Sequence, residues 1–254
     1  MTHIGGMLAS DQFGAVMPIH APAIAVGREV AFSGMHSLAF RYRSDATQVA
    51  QILPKAVEID RHPIVSIIFA SYGISGFGSY LEFIQMVDCR FRGEATTYTP
   101  HIYVTSEPAM FAGREWYGWP KQLANIKFEP NERKSDGLIH ATMSRPAGVE
   151  CASGLFRNAR RVDGIPETGA ATRSMALRMI PSALPGNSPA VCELSLVDSV
   201  TYPGEIWVGD GSLRLANESQ LDPLHRLPIV ELLDTTLVRN ASMTLTAATE
   251  TYPI

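Results

Sequence analysis

The sequence predicts an α+β fold in a single domain, dominated by an antiparallel β-sheet or barrel with a few short helices. Three observations carry this. Many segments have strand character, either alternating or continuously apolar, and turn dipeptides such as Pro185-Gly186 separate them. Only two or three short stretches read as helix. No internal repeat, low-complexity tract or linker divides residues 1–254, and a composition of 46% hydrophobic and 18% charged residues can fill a core.

Residues 1–30 are rich in Gly, Pro and Ala and read as an extended arm or irregular cover. In SLAFRYRS, Leu38, Phe40 and Tyr42 alternate with Ala39, Arg41 and Arg43, the period of a half-buried strand. DATQVAQILP follows, with Asp45 as N-cap and Val49, Ile52 and Leu53 on one helical face. PIVSIIFASYGI is a continuous apolar strand, and GFGSYL a tight turn or bulge. SYLEFIQMVDCRFRG is a long strand whose pleat puts Tyr80, Glu82, Ile84 and Met86 on one face. Glu82 then either lies among apolar neighbours or faces water on an edge strand. TTYTPHIYVT is a further strand. SEPAMFAGREWYG is a helix that Ser106 caps, with Pro108 in its first turn and Gly118 at its end. NIKFEP and LIHATMS are strands joined at Asp136-Gly137. RSMALRMIP, AVCELSLVDSV, EIWVG and ELLDTTLVRNASMTLTAATETYP complete the β-type segments, with a turn expected at Asp210-Gly211.

The bulk numbers exclude several function classes. Net charge is −4, and the arginine pairs 41/43 and 160/161 are too few and scattered for a nucleic-acid stripe. No apolar run is long enough to span a membrane as a helix, and the N-terminus lacks the pattern of a signal peptide. Cys89, Cys151 and Cys192 are far apart and odd in number, which reads as a reduced, cytoplasmic chain without a zinc site. The histidines show no metal-ligand spacing, the third glycine of a dinucleotide fingerprint is missing from GFGSYL, and neither a GxSxG elbow nor HExxH occurs.

EWYGWPKQLANIKF remains. It gathers Trp116, Tyr117, Trp119 and Pro120 around Lys121, one of only four lysines. Aromatic rings beside a lysine signal either a cation–π contact or a reactive amine. An amine attacks a carbonyl only when neutral, and about one free lysine in a thousand is neutral at pH 7. Making the neutral form dominant takes about 4 kcal/mol. Burial against apolar groups can supply this by desolvation, against a helix dipole that typically opposes it by less than about 1 kcal/mol.

SEPAMFAGREWYGWPKQLA resembles the signature of the acetoacetate decarboxylase-like family: an EPA-type helix, Gly-Arg-Glu, then aromatic-Pro-Lys. RYRSDATQVAQILPKAVEID, ISGFGSYLEF, RMIPSALPGNSPAVCELSLVDS and LHRLPIVELL extend the resemblance, in order, over residues 30–254. It implies a cone-like barrel, Lys121 as the Schiff-base nucleophile, Glu82 as its acid/base partner, and homo-oligomers. It implies no cofactor beyond the covalent lysine imine. The departures are Gln122 where the decarboxylases carry a second lysine, Met35 where they carry an arginine, and Ile67 in place of a second glutamate by ungapped counting. They favour different chemistry on the same iminium: a pyruvate aldolase–dehydratase, acting on a small keto acid and an aldehyde, over a decarboxylase. A barrel that binds a small ligand without reacting is the reading of another class. Gln122 is assigned to a substrate oxygen, Tyr252 to proton donation or aldehyde orientation, and Trp116, Tyr117 and Trp119 to the pocket wall. Arg114 and Glu115 are read as structural support for the lysine loop.

Overall fold

The computed structural model describes residues 3–24, 27–130, 138–162, 170–216 and 218–254. After the arm, β1 (Val30–Arg43) leads into α1 (Ala46–Ile52), which Asp45 caps by accepting from the Gln48 N–H. Next come β2 (Val57–Glu58), β3 (Ile64–Tyr72), β4 (Ile74–Ser75), β5 (Tyr80–Phe91) and β6 (Glu94–Val104). A helical segment, α2 (Glu107–Ala112) continued by a π turn (Gly113–Tyr117), precedes β7 (Lys121–Leu123). The remaining strands are β8 (Asn125–Phe128), β9 (Leu138–Ser144), β10 (Glu150–Arg161), β11 (Ala170–Ile180), β12 (Val191–Tyr202), β13 (Glu205–Leu215) and β14 (Glu231–Pro253).

Strands β1, β3, β5, β6, β11, β12 and β14 pair in that order, and β14 pairs back onto β1, so they close into a ring. Closure removes the free edges that an open sheet would expose. From β14 the sheet continues through β13, β10 and β9 to β8. Among the described residues the pairings are antiparallel, except those of β6 with β11 and with β7. The predicted α+β fold, sheet-dominated with short helices, is the fold observed.

Two cores flank the β1–β3–β5 wall. Val65, Ile67 and Phe69 of β3 join Phe83 and Val87 of β5 in one, with Phe40 and Phe156. Ala70 and Tyr72 of β3 join Tyr80 in the other, beside Ala109, Ala112, Trp116 and Tyr117 of the helical segment. Strand β3 is thus buried on both faces, which is why its sequence is apolar without alternation. Strand β5 lies between β3 and β6, so Glu82 is not on an edge; it is 3% exposed.

Several local expectations change. The helix is one α-helical stretch that relaxes into the π turn before Gly118 ends it with φ +77°. Asp210-Gly211 is not a turn: it lies within β13, where a Cβ at Gly211 would fall 2.1 Å from Thr235 Oγ1. Here the glycine permits close strand approach, not chain reversal. Strand β10 is absent from the sequence reading, because GLFRNARR shows little hydrophobic alternation. Asp136-Gly137 lies outside the described residues. The Ser75–Gly78 segment is a tight turn, with Gly78 N–H donating to the Ser75 carbonyl at 3.1 Å. In the arm, Val16 and Ile24 are buried in the second core while Ile4, Met7 and Met17 stay exposed.

Candidate active site

The helical segment and β7 position Lys121 together. Ser106 Oγ accepts from the Ala109 N–H at the start of α2, and Pro108 fits the first turn, where no backbone donor is needed. The π turn widens the helix by one residue, a feature often found at functional sites. Its consequence is local: Trp119 N–H returns to the Gly113 carbonyl at 2.9 Å, and Lys121 N–H to the Trp119 carbonyl at 2.8 Å. The chain then pairs parallel to β6, with Lys121 opposite Ile102. The lysine stem lies against the backbone at Gly113, where a Cβ would meet Lys121 Cδ at 2.3 Å.

Glu82 reaches the same point from β5, paired with Ala70 on one side and Val104 on the other. Lys121 Nζ is 2.7 Å from Glu82 Oε2, and the two side chains are only 5% and 4% exposed. Tyr72 Oη donates to the other carboxylate oxygen at 3.0 Å. The Tyr72 and Tyr80 rings stack at 4.6 Å. Nζ lies 5.9 Å from the Tyr80 ring centroid and 5.3 Å from that of Trp119. Burial, and then the nearby Glu82 charge, push both tyrosine hydroxyls well above their ordinary range, so each remains a protonated donor. The cavity they line measures about 30 Å³, and Phe32, Phe77, Met243 and Leu245 make the rest of its wall largely apolar.

This pair is expensive. Replacing a buried ion pair by packed apolar groups is often neutral, or stabilising by about 1–4 kcal/mol. Its presence in an apolar cavity therefore points to chemistry and not to stability. At 2.7 Å, Glu82 Oε2 is the hydrogen-bond acceptor that Lys121 Nζ donates to.

The other expected residues divide. Tyr117 and Trp119 line the cavity; Tyr117 Oη donates to the Arg28 carbonyl at 2.6 Å. Trp116 packs in the second core and is not a lining residue. Gln122 follows Lys121 in β7, so the strand alternation turns it away from the cavity, opposite Tyr103. Tyr252 is elsewhere: it pairs across from Leu194, packs edge-on to Phe91 at 5.0 Å and donates to Glu250. Within this chain the register of β14 brings Met243 and Leu245, not Tyr252, to Lys121. Arg114 and Glu115 do not act as a pair. Arg114 Nη1 donates to the Lys121 carbonyl at 3.3 Å, and the Glu115 carbonyl accepts from Arg178 Nη2 at 2.9 Å.

Sequence reasoning missed Tyr72, which sat inside an apolar run with no facing information, and Gly113, a glycine in mid-helix that could have been flagged as a close-approach position. Ile67 proves uninformative as a lost glutamate, since it faces the other core. On the lysine side, β3 offers Ile68, Ala70 and Tyr72, none of them a carboxylate.

The family model for acetoacetate decarboxylase matches residues 16–251. The chain belongs to the acetoacetate decarboxylase family. It is accordingly an enzyme of that family, a lyase. It is 32% identical over 239 residues to a protein of Cochliobolus heterostrophus named decarboxylase DEC1, covering 94% of each chain. It is 28% identical to the acetoacetate decarboxylase of Ralstonia nicotianae, covering 86% of each. Among solved structures, the acetoacetate decarboxylase of Legionella pneumophila superposes with a TM-score of 0.80 at 21% identity, covering 98% of this chain and 99% of that one. The enduracididine biosynthesis enzyme MppR, complexed with the condensation product of pyruvate and imidazole 4-carboxaldehyde, superposes at 0.76 with 19% identity, covering 96% and 97%. At these identities the structural likenesses establish the fold alone. Among the described residues no helix is long and apolar enough to cross a membrane.

Proposed function

We propose that the chain forms a Schiff base between Lys121 and a small keto acid, and that its overall reaction is decarboxylation of a β-keto acid. The observation that carries this is the buried 2.7 Å contact of Lys121 Nζ with Glu82, in a cavity where, among the described residues, no other cationic side chain is in the lining. Glu82 accepts the ammonium proton, and the free amine adds to the ketone carbon. Glu82 returns the proton to the carbinolamine hydroxyl, which leaves as water and gives the iminium. The bond to the carboxylate then breaks, its electron pair moves to the iminium nitrogen, and CO₂ departs. Protonation of the enamine carbon and addition of water release the ketone and regenerate Lys121. An apolar wall beside the Glu82 carboxyl disfavours a substrate carboxylate and favours its loss as neutral CO₂.

A pyruvate aldolase–dehydratase is the second reading. Its support is Met35, buried on the lysine side where the decarboxylases carry an arginine, and Gln122 in place of the second lysine. Against it, pyruvate would have to keep its carboxylate in a cavity whose described lining holds no guanidinium, with an aldehyde beside it. The decarboxylase names of the relatives at 28–32% identity weigh the same way.

The test is reductive trapping. The protein is incubated with acetoacetate or with pyruvate, borohydride is added, and the labelled peptide is mapped. Labelling at Lys121 with CO₂ released from acetoacetate is the expected result. Labelling by pyruvate without CO₂ release from acetoacetate would move the reading to the aldolase–dehydratase. No labelling at Lys121 by either would leave a barrel that binds without reacting.

A further inference from the structure

The cavity around Lys121 has room for about one water molecule at ≈ 30 Å³, too little for a keto acid. One of its walls is thin. Trp119 lines this cavity on one side and, on the other, an outer hollow of ≈ 490 Å³. Strands and α2 supply most of the remaining wall, whereas Trp119 sits on the short loop between Gly118 and β7 and is only half-buried.

The outer hollow has guanidinium groups in its lining, those of Arg114 and Arg178, where the inner one has Lys121 and Glu82. Arg114 is exposed, and among the described residues its guanidinium makes one hydrogen bond, to the Lys121 carbonyl, and no ion pair. Arg178 gives Nη1 to Glu193 at 3.0 Å and Nη2 to the Glu115 carbonyl, but its buried Nε has no partner among the described residues. Glu115 lines the same hollow; Arg178 is held by Glu193 and the Glu115 carbonyl, so the guanidinium with donors open to the hollow is that of exposed Arg114. Tyr98, Leu177 and Met179 add apolar surface beside them.

We propose that this hollow is the entry subsite of the lysine cavity: Arg114, with the Arg178 charge behind it, collects the carboxylate of a short keto acid, and the Trp119 ring is the gate through which its carbonyl reaches Lys121. This rests on the Schiff-base reading of Lys121. An anion approaching the cavity meets Glu82 as well as Lys121, and guanidinium donors outside the gate raise its local concentration without holding the carboxylate where CO₂ must leave.

The experiment compares borohydride trapping rates with acetoacetate, with neutral acetone and with the bulky neutral 4-phenylbutan-2-one. Arg114→Gln, at an exposed position, is expected to slow trapping of acetoacetate about ten-fold more than that of acetone at low salt, any loss common to both reporting the hydrogen bond to the Lys121 carbonyl. Arg114→Lys should restore most of the rate, and added salt should erase the difference. Arg178→Gln should act in the same direction. Trp119→Ala should speed trapping of the phenyl ketone at least about ten-fold by opening the gate. Equal slowing of acetoacetate and acetone by Arg114→Gln, or no gain for the phenyl ketone in Trp119→Ala, would overturn the entry route alone. Failure of every ketone to label the wild-type lysine would overturn the Schiff-base reading and the route with it.

Discussion

Gly113 and Lys121 are fitted to each other. A Cβ at Gly113 would lie 2.3 Å from Lys121 Cδ and 2.8 Å from both Cγ and Cε, so the lysine stem rests on bare π-turn backbone. In an ordinary helix, Gly→Ala gains about 0.8–1 kcal/mol. Here the methyl group must displace the lysine. Gly113→Ala is expected to keep its melting temperature within a few degrees yet trap acetoacetate at least about ten-fold more slowly. Trapping within two-fold of wild type would show that the lysine position does not depend on this contact.

Glu82→Gln keeps the shape and removes the charge. Breaking a buried pair from one side costs about 3–5 kcal/mol, and loss of a positioned acid/base slows turnover by about 10²-fold or more. Denaturant melts and CO₂ release measure the two effects. The double variant Glu82→Gln with Lys121→Met should recover stability and remain inactive, because no buried charge is then left unpaired. An active Glu82→Gln variant would remove Glu82 from the mechanism.

Tyr72→Phe deletes the donor to Glu82 Oε1. A hydrogen bond to a charged group is worth about 1.5–3 kcal/mol, so a fall in kcat of about ten-fold or more is expected. The variant has a second signature in alkali. Burial, then the Glu82 charge and hydrogen bond, raise the Tyr72 hydroxyl well above its ordinary value. The folded protein therefore holds this proton when the unfolded chain loses it, and stability falls as pH rises past about 10. Tyr72→Phe should flatten that slope in pH-dependent urea melts.

His101 gives the acid-side counterpart, away from the lysine. Gln85 Nε2 donates to Tyr42 Oη at 3.1 Å and to the Leu224 carbonyl at 3.2 Å, so Gln85 Oε1 is the acceptor facing His101 Nδ1 at 2.9 Å. That assigns the neutral Nδ1–H tautomer. Burial lowers the imidazole to about 4, with Asp222 opposing and Arg226 adding to the shift. The unfolded chain takes up this proton first, so stability is lost as pH falls from about 6.5 to 4, by up to about 3 kcal/mol. His101→Asn should be less stable at pH 7 but lose less between pH 6.5 and 4. An unchanged slope would mean that His101 is already protonated in the fold.

Much of the site was legible because it is local. Caps at Ser106 and Gly118 bound the helical segment, and the aromatic cluster marked Lys121, since neighbours in sequence supply that signal. Glu82 was half legible: the pleat gave its face, but not whether water or protein covered it. Tyr72 was illegible because an apolar run buried on both sides has no period to read.

The sequence by itself determined the strand-rich fold with its two helical stretches, because alternation, capping and turn chemistry act over a few residues, and its resemblance to the family singled out Lys121 and Glu82. The tertiary structure alone decided which side chains meet. Closure of β14 onto β1 brings Met243 and Leu245 toward the lysine and sends Tyr252 to Phe91. The alternation of β7 then turns Gln122 away from Lys121. Register across a closed ring is a property of all its strands at once, and a shift of one residue in any of them would exchange the faces.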